Sequence, residues 1–235
     1  MVVGMLIIPA FNEEAYLGGV LQAVADSAPG LDTVVVDDGS RDATAETAAQ
    51  WGAHVLRHPF NLGYGAALQT GYKYARQVGA KLLVQMDADG QHDARDVPAL
   101  IEPVESGELD LVIGSRFVSA TGYRMEILKG AGRRLFQVLA RRLGLQITDP
   151  TSGFQAMNRR VLDLYVGDFF PFDYPDVDVL LSAHRRGIRI GERPVTMKAG
   201  VRASSLHSGI SPFYYVYKML LWVVTSIGDP PEDTP

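Results

Sequence analysis

Asp87 and Asp89 lie one residue apart at the end of an apolar run, Leu82-Leu83-Val84-Gln85-Met86, and an amide, Gln91, follows shortly after. Hard divalent cations such as Mg²⁺ or Mn²⁺ bind oxygen ligands, retain waters and take up substrate phosphate oxygens rather than a full protein cage. Two carboxylates and an amide leave room for a diphosphate, so Asp87, Asp89 and Gln91 are candidate metal ligands. The two acids repel each other unless a cation, a hydrogen bond or solvent offsets their charge. Acidic turns are also common at polar strand exits, and the segment taken alone fits either description.

Two further polar motifs invite chemistry. Val35-Val36-Asp37-Asp38-Gly39-Ser40-Arg41-Asp42 sets adjacent acids before Gly-Ser, a tight turn leading into a helix. One acid would receive a base or ribose donor while Ser40 or Asp42 caps the helix; turn-and-cap chemistry alone accounts for the same residues. Pro9-Ala10-Phe11-Asn12-Glu13-Glu14 places an aromatic and two acids together, suited to flanking a nucleobase, with Asn12 alternatively a helix cap.

The elements that must position these residues alternate. Val2 to Ile8, Thr33 to Val36, His54 to Arg57 and Lys81 to Met86 read as short apolar strands. Glu13 to Ala25, with Leu17, Val20, Leu21 and Val24 at helical spacing, Ala43 to Trp51 and Gly65 to Val78 read as helices. Such alternation predicts an α/β fold with a mostly parallel central sheet flanked by helices. All three motifs then fall at carboxyl ends of strands, where such sheets collect ligands. The second half is less regular: a strand over Leu109 to Ile113 delivering Gly114-Ser115-Arg116, a helix over Arg133 to Leu143, a turn over Asp149 to Phe154, a helix over Val177 to Arg186, and a last strand over Glu192 to Met197.

Composition narrows the function classes. At 235 residues and 47% apolar the chain can bury a full core, and 21% charged residues of both signs argue against disorder. A net charge of −5 gives no global attraction to nucleic acid, so no nucleic-acid partner is expected. The chain holds no cysteine, which removes disulfides and thiolate metal sites. The first ten residues lack a basic region and their apolar run is short, so they read as a strand rather than a signal peptide, and a cytoplasmic location is expected. Gly63-Tyr64-Gly65 opens like a dinucleotide fingerprint, but Leu68 fills the third glycine position, which excludes a Rossmann oxidoreductase. A nucleotidyltransferase would need a glycine-rich basic loop where this chain has Asn12-Glu13-Glu14.

Ile8-Pro9-Ala10-Phe11-Asn12-Glu13, Val36-Asp37-Asp38-Gly39-Ser40, Asn61-Leu62-Gly63-Tyr64-Gly65, Asp87-Ala88-Asp89-Gly90-Gln91-His92 and Thr151-Ser152-Gly153-Phe154 follow one another in this order. Together they resemble the successive blocks of the family 2 glycosyltransferases, in particular the polyprenyl-phosphate sugar transferases of the dolichyl-phosphate mannose synthase group. The likeness runs from about Val3 to about Ser205. It implies a GT-A fold over residues 1–210, a nucleotide-sugar donor, Mg²⁺ or Mn²⁺ as cofactor, and inversion at the anomeric carbon.

Carried over by position, Pro9, Phe11, Glu13, Val36 and Asp38 would line the nucleoside pocket. Asp87, Asp89 and Gln91 would hold the metal, with Ala88 between them on the donor. Arg116 and Arg202 would meet phosphate; with Asp89 they complete the catalytic set that the resemblance implies. A polyprenyl phosphate acceptor is already anionic and needs no general base, only a basic cradle, for which Lys129, Arg133, Arg134 and Ser152 are candidates. A hydroxyl acceptor would need a base, with Asp149, Asp176 and Asp178 as alternatives.

Membrane contact has two candidate elements. The helix over Arg133 to Leu143 alternates basic pairs with an apolar stripe, which suits an anionic membrane surface or a helix packed on the sheet. Residues 211–228, rich in Phe, Tyr and Trp, form an expected amphipathic C-terminal helix, too short and interrupted for a bilayer crossing of about 20 apolar residues. It fits a membrane interface or a homodimer contact, and 229–235 form a frayed acidic tail. The expected location is therefore cytoplasmic and peripheral at the membrane. A non-catalytic nucleotide-sugar-binding module shares the same pocket signals.

Overall fold

The computed structural model describes residues 4–118, 144–171, 175 and 177–198. Its centre is a seven-stranded sheet in the order β3-β2-β1-β4-β6-β5-β7. The strands are β1 (Gly4–Ala10), β2 (Leu31–Asp37), β3 (His54–Arg57), β4 (Leu82–Gln85), β5 (Leu111–Ser115), β6 (Gln155–Asn158) and β7 (Ile190–Pro194). The helices are α1 (Glu14–Ser27), α2 (Thr44–Gln50), α3 (Tyr64–Gln77), α4 (Val97–Glu105), α5 (Arg159–Tyr165) and α6 (Val177–Arg185). β1 pairs in parallel with β2 and β4, β2 with β3, and β5 with β7, while β6 runs antiparallel between β4 and β5.

Period-two alternation feeds the two sides of this sheet. Met5 and Ile7 of β1, Val34 and Val36 of β2, and Leu111 and Ile113 of β5 enter one core with residues of α3, α5 and α6. Leu6, Ile8, Val35 and Val112 enter the other, against α1 and α4. The stripe Leu17, Val20, Leu21 and Val24 is the buried face of α1. Each wholly buried Leu or Ile here contributes about 1.5–3 kcal/mol. On the first side α3 lies close against β1: a Cβ on Gly71 would stand 2.5 Å from Ile7 Cγ2. That approach fixes where the amino end of α3 emerges above the sheet.

The strand order reverses between β1 and β4, since β2 and β3 extend the sheet to one side of β1 and β4 lies on the other. Ligand crevices of open α/β sheets form outside the carboxyl ends at such a switch point. The turns after β1, β2 and β4 all open there.

The predicted alternation through β4 is observed with ends shifted by no more than a few residues. Among the described residues four elements were not predicted: a 3₁₀ turn over Ala94–Asp96, α4, β6 and α5. The segment of α4 carries Pro98 and Pro103, which argue against a helix; Pro98 sits in the first turn, where its missing N–H costs nothing. β6 is four residues long and antiparallel, so neither length nor β-α-β rhythm announces it. The expected helices over Arg133 to Leu143 and 211–228, the tail 229–235, and the candidates Lys129, Arg133, Arg134, Asp176 and Arg202 lie outside the described residues.

Candidate active site

The exits of β1 and β2 are sewn together by side chains reaching across the crevice. Asn12 adopts φ 56°, a left-handed conformation that asparagine tolerates. Its N–H donates to Ser40 Oγ at 2.9 Å and its Oδ1 accepts from Arg41 N–H at 2.9 Å. Glu13 N–H donates to Thr44 Oγ1 at 2.8 Å, and Glu14 Oε2 accepts from Ala43 N–H at 2.8 Å. Asn12 therefore joins the two turns and does not cap α1; Glu13 holds the cap position without a side-chain cap bond. Phe11 projects from this edge, 42% exposed, whereas Pro9 and Val36 are buried, Val36 within the core beneath the crevice.

Asp37 and Asp38 are both buried; both oxygens of Asp38 accept hydrogen bonds, whereas Asp37 has one hydrogen-bonded oxygen and one in an ion pair. Asp37 Oδ1 accepts from Ser40 N–H at 2.9 Å, and its Oδ2 lies 3.0 Å from Arg57 Nε. Asp38 Oδ1 lies 2.7 Å from His58 Nδ1 and accepts from Leu62 N–H at 2.9 Å, while Oδ2 accepts from Gly63 N–H at 2.9 Å. His58 Nε2 in turn meets Thr70 Oγ1 of α3 at 2.9 Å. Asp38 thus gathers the loop before α3 and fastens it to β2.

The exit of β4 is built differently. Asp87 and Asp89 are partly exposed, with Ala88 buried between them. Tyr64, the first residue of α3, donates its hydroxyl to Asp87 Oδ1 at 2.8 Å. Asp89 Oδ1 accepts from Gln91 N–H at 2.9 Å and Oδ2 from Gln91 Nε2 at 2.5 Å. Burial and then the negative charge of Asp87 push the Asp89 carboxyl above the usual range. Asp87 N–H donates to His92 Nδ1 at 3.2 Å, which leaves the proton of a neutral His92 on Nε2, 3.8 Å from Asp87 Oδ2. His92 stacks on Phe154 with ring centroids 4.8 Å apart.

Gly153 closes the pocket from the side of β6. A Cβ there would stand 3.0 and 3.2 Å from the two Asp87 oxygens and 2.8 Å from the Tyr64 hydroxyl, so the bare backbone makes the room. Ser152 is buried; its Oγ accepts from Phe154 N–H at 3.3 Å and its carbonyl from Gln155 Nε2 at 2.9 Å.

Residues of this turn fit a hard divalent cation. Among the described residues no three His, Cys, Asp or Glu side chains gather for a metal. The turn offers two carboxylates and an amide as candidate oxygen donors, a set that would suit Mg²⁺ or Mn²⁺ shared with a diphosphate. The mutual repulsion felt at Asp89 is the demand such a cation meets.

Arg116 follows β5 and lays its guanidinium on Asp149, Nε on Oδ2 and Nη2 on Oδ1, both at 2.6 Å. Nη2 also reaches Thr151 Oγ1 at 3.3 Å. Asp149 is wholly buried, and its own N–H donates to Glu192 Oε1 at 2.8 Å. Both carboxylate oxygens of Asp149 are thus engaged by Arg116 in a bidentate pair, which holds the guanidinium in place. Asp178 lies in the first turn of α6, which packs into the core on the α3 side. The structure brings Phe11, Glu13 and Asp38 together at one end of the crevice and Asp87, Asp89, Gln91 and Ser152 at the other. Tyr64, His58, Gly153 and Glu192 were not predicted to matter, although Tyr64 and Gly153 lie in the sequence blocks quoted above.

The model of the Glycosyl transferase family 2 matches residues 5–165. The chain is 34% identical over 220 residues to an undecaprenyl-phosphate mannosyltransferase of Micrococcus luteus, covering 87% of each chain. It is 30% identical over 232 residues to a polyprenol monophosphomannose synthase of Mycolicibacterium smegmatis, covering 93% of this chain and 86% of the relative. Among solved structures, glucosyl-3-phosphoglycerate synthase from Mycobacterium tuberculosis, in complex with Mn²⁺, UDP-glucose and phosphoglyceric acid, superposes with a TM-score of 0.70 at 21% identity. That likeness covers 94% of this chain and 79% of the other, and concerns the fold, which is the GT-A α/β fold. With a family match spanning most of the chain, relatives above 30% identity and the three strand-end turns in place, this chain belongs to glycosyl transferase family 2 and is a glycosyltransferase.

Proposed function

We propose that the enzyme moves a hexose, with inversion, from a nucleotide sugar to a polyprenyl phosphate at a membrane surface. The observation that carries this reading is the extent of the relatives: a mannosyltransferase and a mannose synthase named for polyprenyl-type acceptors match across nearly the whole chain. A phosphate oxygen of the acceptor attacks the anomeric carbon, the bond to the donor diphosphate breaks, and the nucleoside diphosphate departs. Because that phosphate is already an anion, no carboxylate base is required. This agrees with Asp149 being locked on Arg116.

On this reading Phe11, Glu13 and Asp38 bound the nucleoside, and Asp87, Asp89 and Gln91 hold Mg²⁺ or Mn²⁺. A bound cation would supply neutralisation of the leaving diphosphate. Arg116 and Arg202 are proposed for the phosphates, and Lys129, Arg133, Arg134 and Ser152 for the acceptor. Among the described residues no helix is long and apolar enough to cross a membrane. Contact with lipid is proposed for residues 211–228 on their aromatic-rich sequence. The same fold is found with phosphoglyceric acid bound in the Mycobacterium tuberculosis enzyme, which keeps a soluble acceptor as the second reading.

The test is a Mn²⁺-supplemented assay of GDP-mannose, UDP-glucose and UDP-N-acetylglucosamine, each with and without a short polyprenyl phosphate, following nucleoside diphosphate release and glycolipid together. Lipid-dependent release with one donor is expected. Release without glycolipid, unaffected by the lipid, would turn the assignment to the soluble acceptor.

A further inference from the structure

We infer that Tyr64 is a positioning residue for Asp87, the end of a one-way hydrogen-bond chain that starts in the core and dictates which carboxylate oxygen is left to a cation. The inference rests on Asp87 being a metal ligand, as proposed above. The chain runs from Tyr72, whose hydroxyl donates to Gln85 Oε1. Gln85 Nε2 donates to the Tyr64 hydroxyl at 3.1 Å, and Tyr64 donates to Asp87 Oδ1 at 2.8 Å.

Its direction is fixed by chemistry at both ends. An ionised Asp87 only accepts, so the single proton of Tyr64 must point at it. The Tyr64 oxygen then has to be met by a donor, and of the two ends of the Gln85 amide only the NH₂ donates. That turns the Gln85 carbonyl toward Tyr72, which has a proton to give. Reversing the amide would set two acceptors face to face at Tyr64, so the buried members of the chain have one satisfied arrangement.

Both anchors of Tyr64 are stiff. Tyr72 and Gln85 are buried, and Tyr72 is packed against the rings of Tyr165 and Phe170 at 5.8 and 5.5 Å. At the backbone, Asp38 grips Leu62 N–H and Gly63 N–H immediately before Tyr64. The phenol is therefore held from the core by Gln85 and from the far side of the crevice by Asp38. Oδ1 of Asp87 is occupied by Tyr64, while among the described bonds Oδ2 accepts none and lies 3.8 Å from His92 Nε2. Hydrogen-bond partners that orient a ligand carboxylate are commonly worth a factor of about 10–100 in metal affinity.

The experiment is a Mn²⁺ titration of the full chain by electron paramagnetic resonance, alone and with GDP or UDP present, for the parent, Tyr64→Phe and Tyr72→Phe, alongside thermal unfolding. Tyr64→Phe is expected to bind Mn²⁺ about 10–100-fold more weakly, with Tyr72→Phe showing a smaller loss in the same direction. A Tyr64→Phe protein that melts earlier yet binds Mn²⁺ as tightly as the parent would overturn the inference, because Tyr64 would then be structural only. Should Tyr64→Phe fail to fold, parental Mn²⁺ affinity in Tyr72→Phe would overturn the chain. A parent that binds no Mn²⁺ under any of these conditions would instead bring down the metal reading of Asp87, and this inference with it.

Discussion

Two acidic turns leave the carboxyl ends of strands on either side of β1, and their carboxylates meet opposite fates. After β2, Asp37 and Asp38 are buried and paired: Asp38 takes the N–H groups of Leu62 and Gly63 and meets His58, while Asp37 takes the N–H of Ser40 and forms an ion pair with Arg57. After β4, Asp89 is partly exposed, has only Gln91 as its donor residue among the bonds described, and is pushed toward its neutral form by burial and by Asp87. The first turn is a fastener whose charges are already balanced. Among the described residues no arginine or lysine pairs with the acids of the second, and a cation would relieve the repulsion between them. Similar strings of Asp and Gly thus separate into scaffold and site by the donors that distant segments bring to them.

The strongest way to break this comparison is Asp89→Ala. If the turn after β4 is the metal site, transfer should fall by at least about a thousandfold, since charge stabilisation of the leaving group is worth several kcal/mol. Thermal unfolding should hardly move, because the side chain packs no core. Metal-dependent turnover surviving in this variant would remove Asp89 from the ligand set.

Asp38→Ala addresses the opposite turn, where the expected loss is of stability. It strands Leu62 N–H, Gly63 N–H and the His58 ring at once. Leaving such groups without partners costs about 2–3 kcal/mol, or about 4–12 °C in melting temperature for a chain of this size. Amide hydrogen exchange at Leu62 and Gly63 should accelerate. An unchanged melting curve with protected amides would mean that Asp38 is not the fastener.

How much of this contrast the sequence carried depends on separation along the chain. The acids themselves, their place after strands, and the helices between them are local: His54 to Arg57 is both the predicted and the observed β3. The partners are remote. Asp38 meets its loop across 24 and 25 residues, Tyr64 meets Asp87 across 23, and Arg116 meets Asp149 across 33. Spacing rules for helices and strands reach only about four residues, so none of these pairings is visible to them. The sequence offers Arg116 for a phosphate and Asp149 as one alternative base without showing that the two side chains meet. The four-residue β6 escaped because its pairing with β4 and β5, not its own composition, makes it a strand.

Gly153→Ala sharpens the comparison from the neighbouring loop. Gly153 is not among the residues with positive φ, so alanine suits its backbone. The new methyl would nevertheless press on Asp87 and Tyr64. Activity and Mn²⁺ affinity are expected to drop together by about 10–100-fold, with a melting temperature near the parent's. A drop in melting temperature alone, with both of the others retained, would show that the loop yields and the cradle is loose.

The smallest expected effect is the most diagnostic, because its sign is unusual. In metal-free protein Asp89→Asn removes one of two neighbouring like charges while keeping the shape, and Gln91 can turn its amide to suit the new group. The folded-state carboxyl of Asp89 is raised above its ordinary value, so ionising it opposes folding. That penalty grows as pH rises through the unfolded carboxylate range and persists at neutrality. Asp89→Asn should therefore raise the melting temperature of the EDTA-treated protein at pH 7. The difference should shrink as pH falls through the raised range of the folded carboxyl and be gone below about pH 4, where the acid is neutral in both states. Added Mn²⁺ should reverse the order, since only the parent gains from binding. A metal-free Asp89→Asn protein less stable than its parent would mean that Asp89 is already balanced by its neighbours, and the distinction between the two turns would collapse.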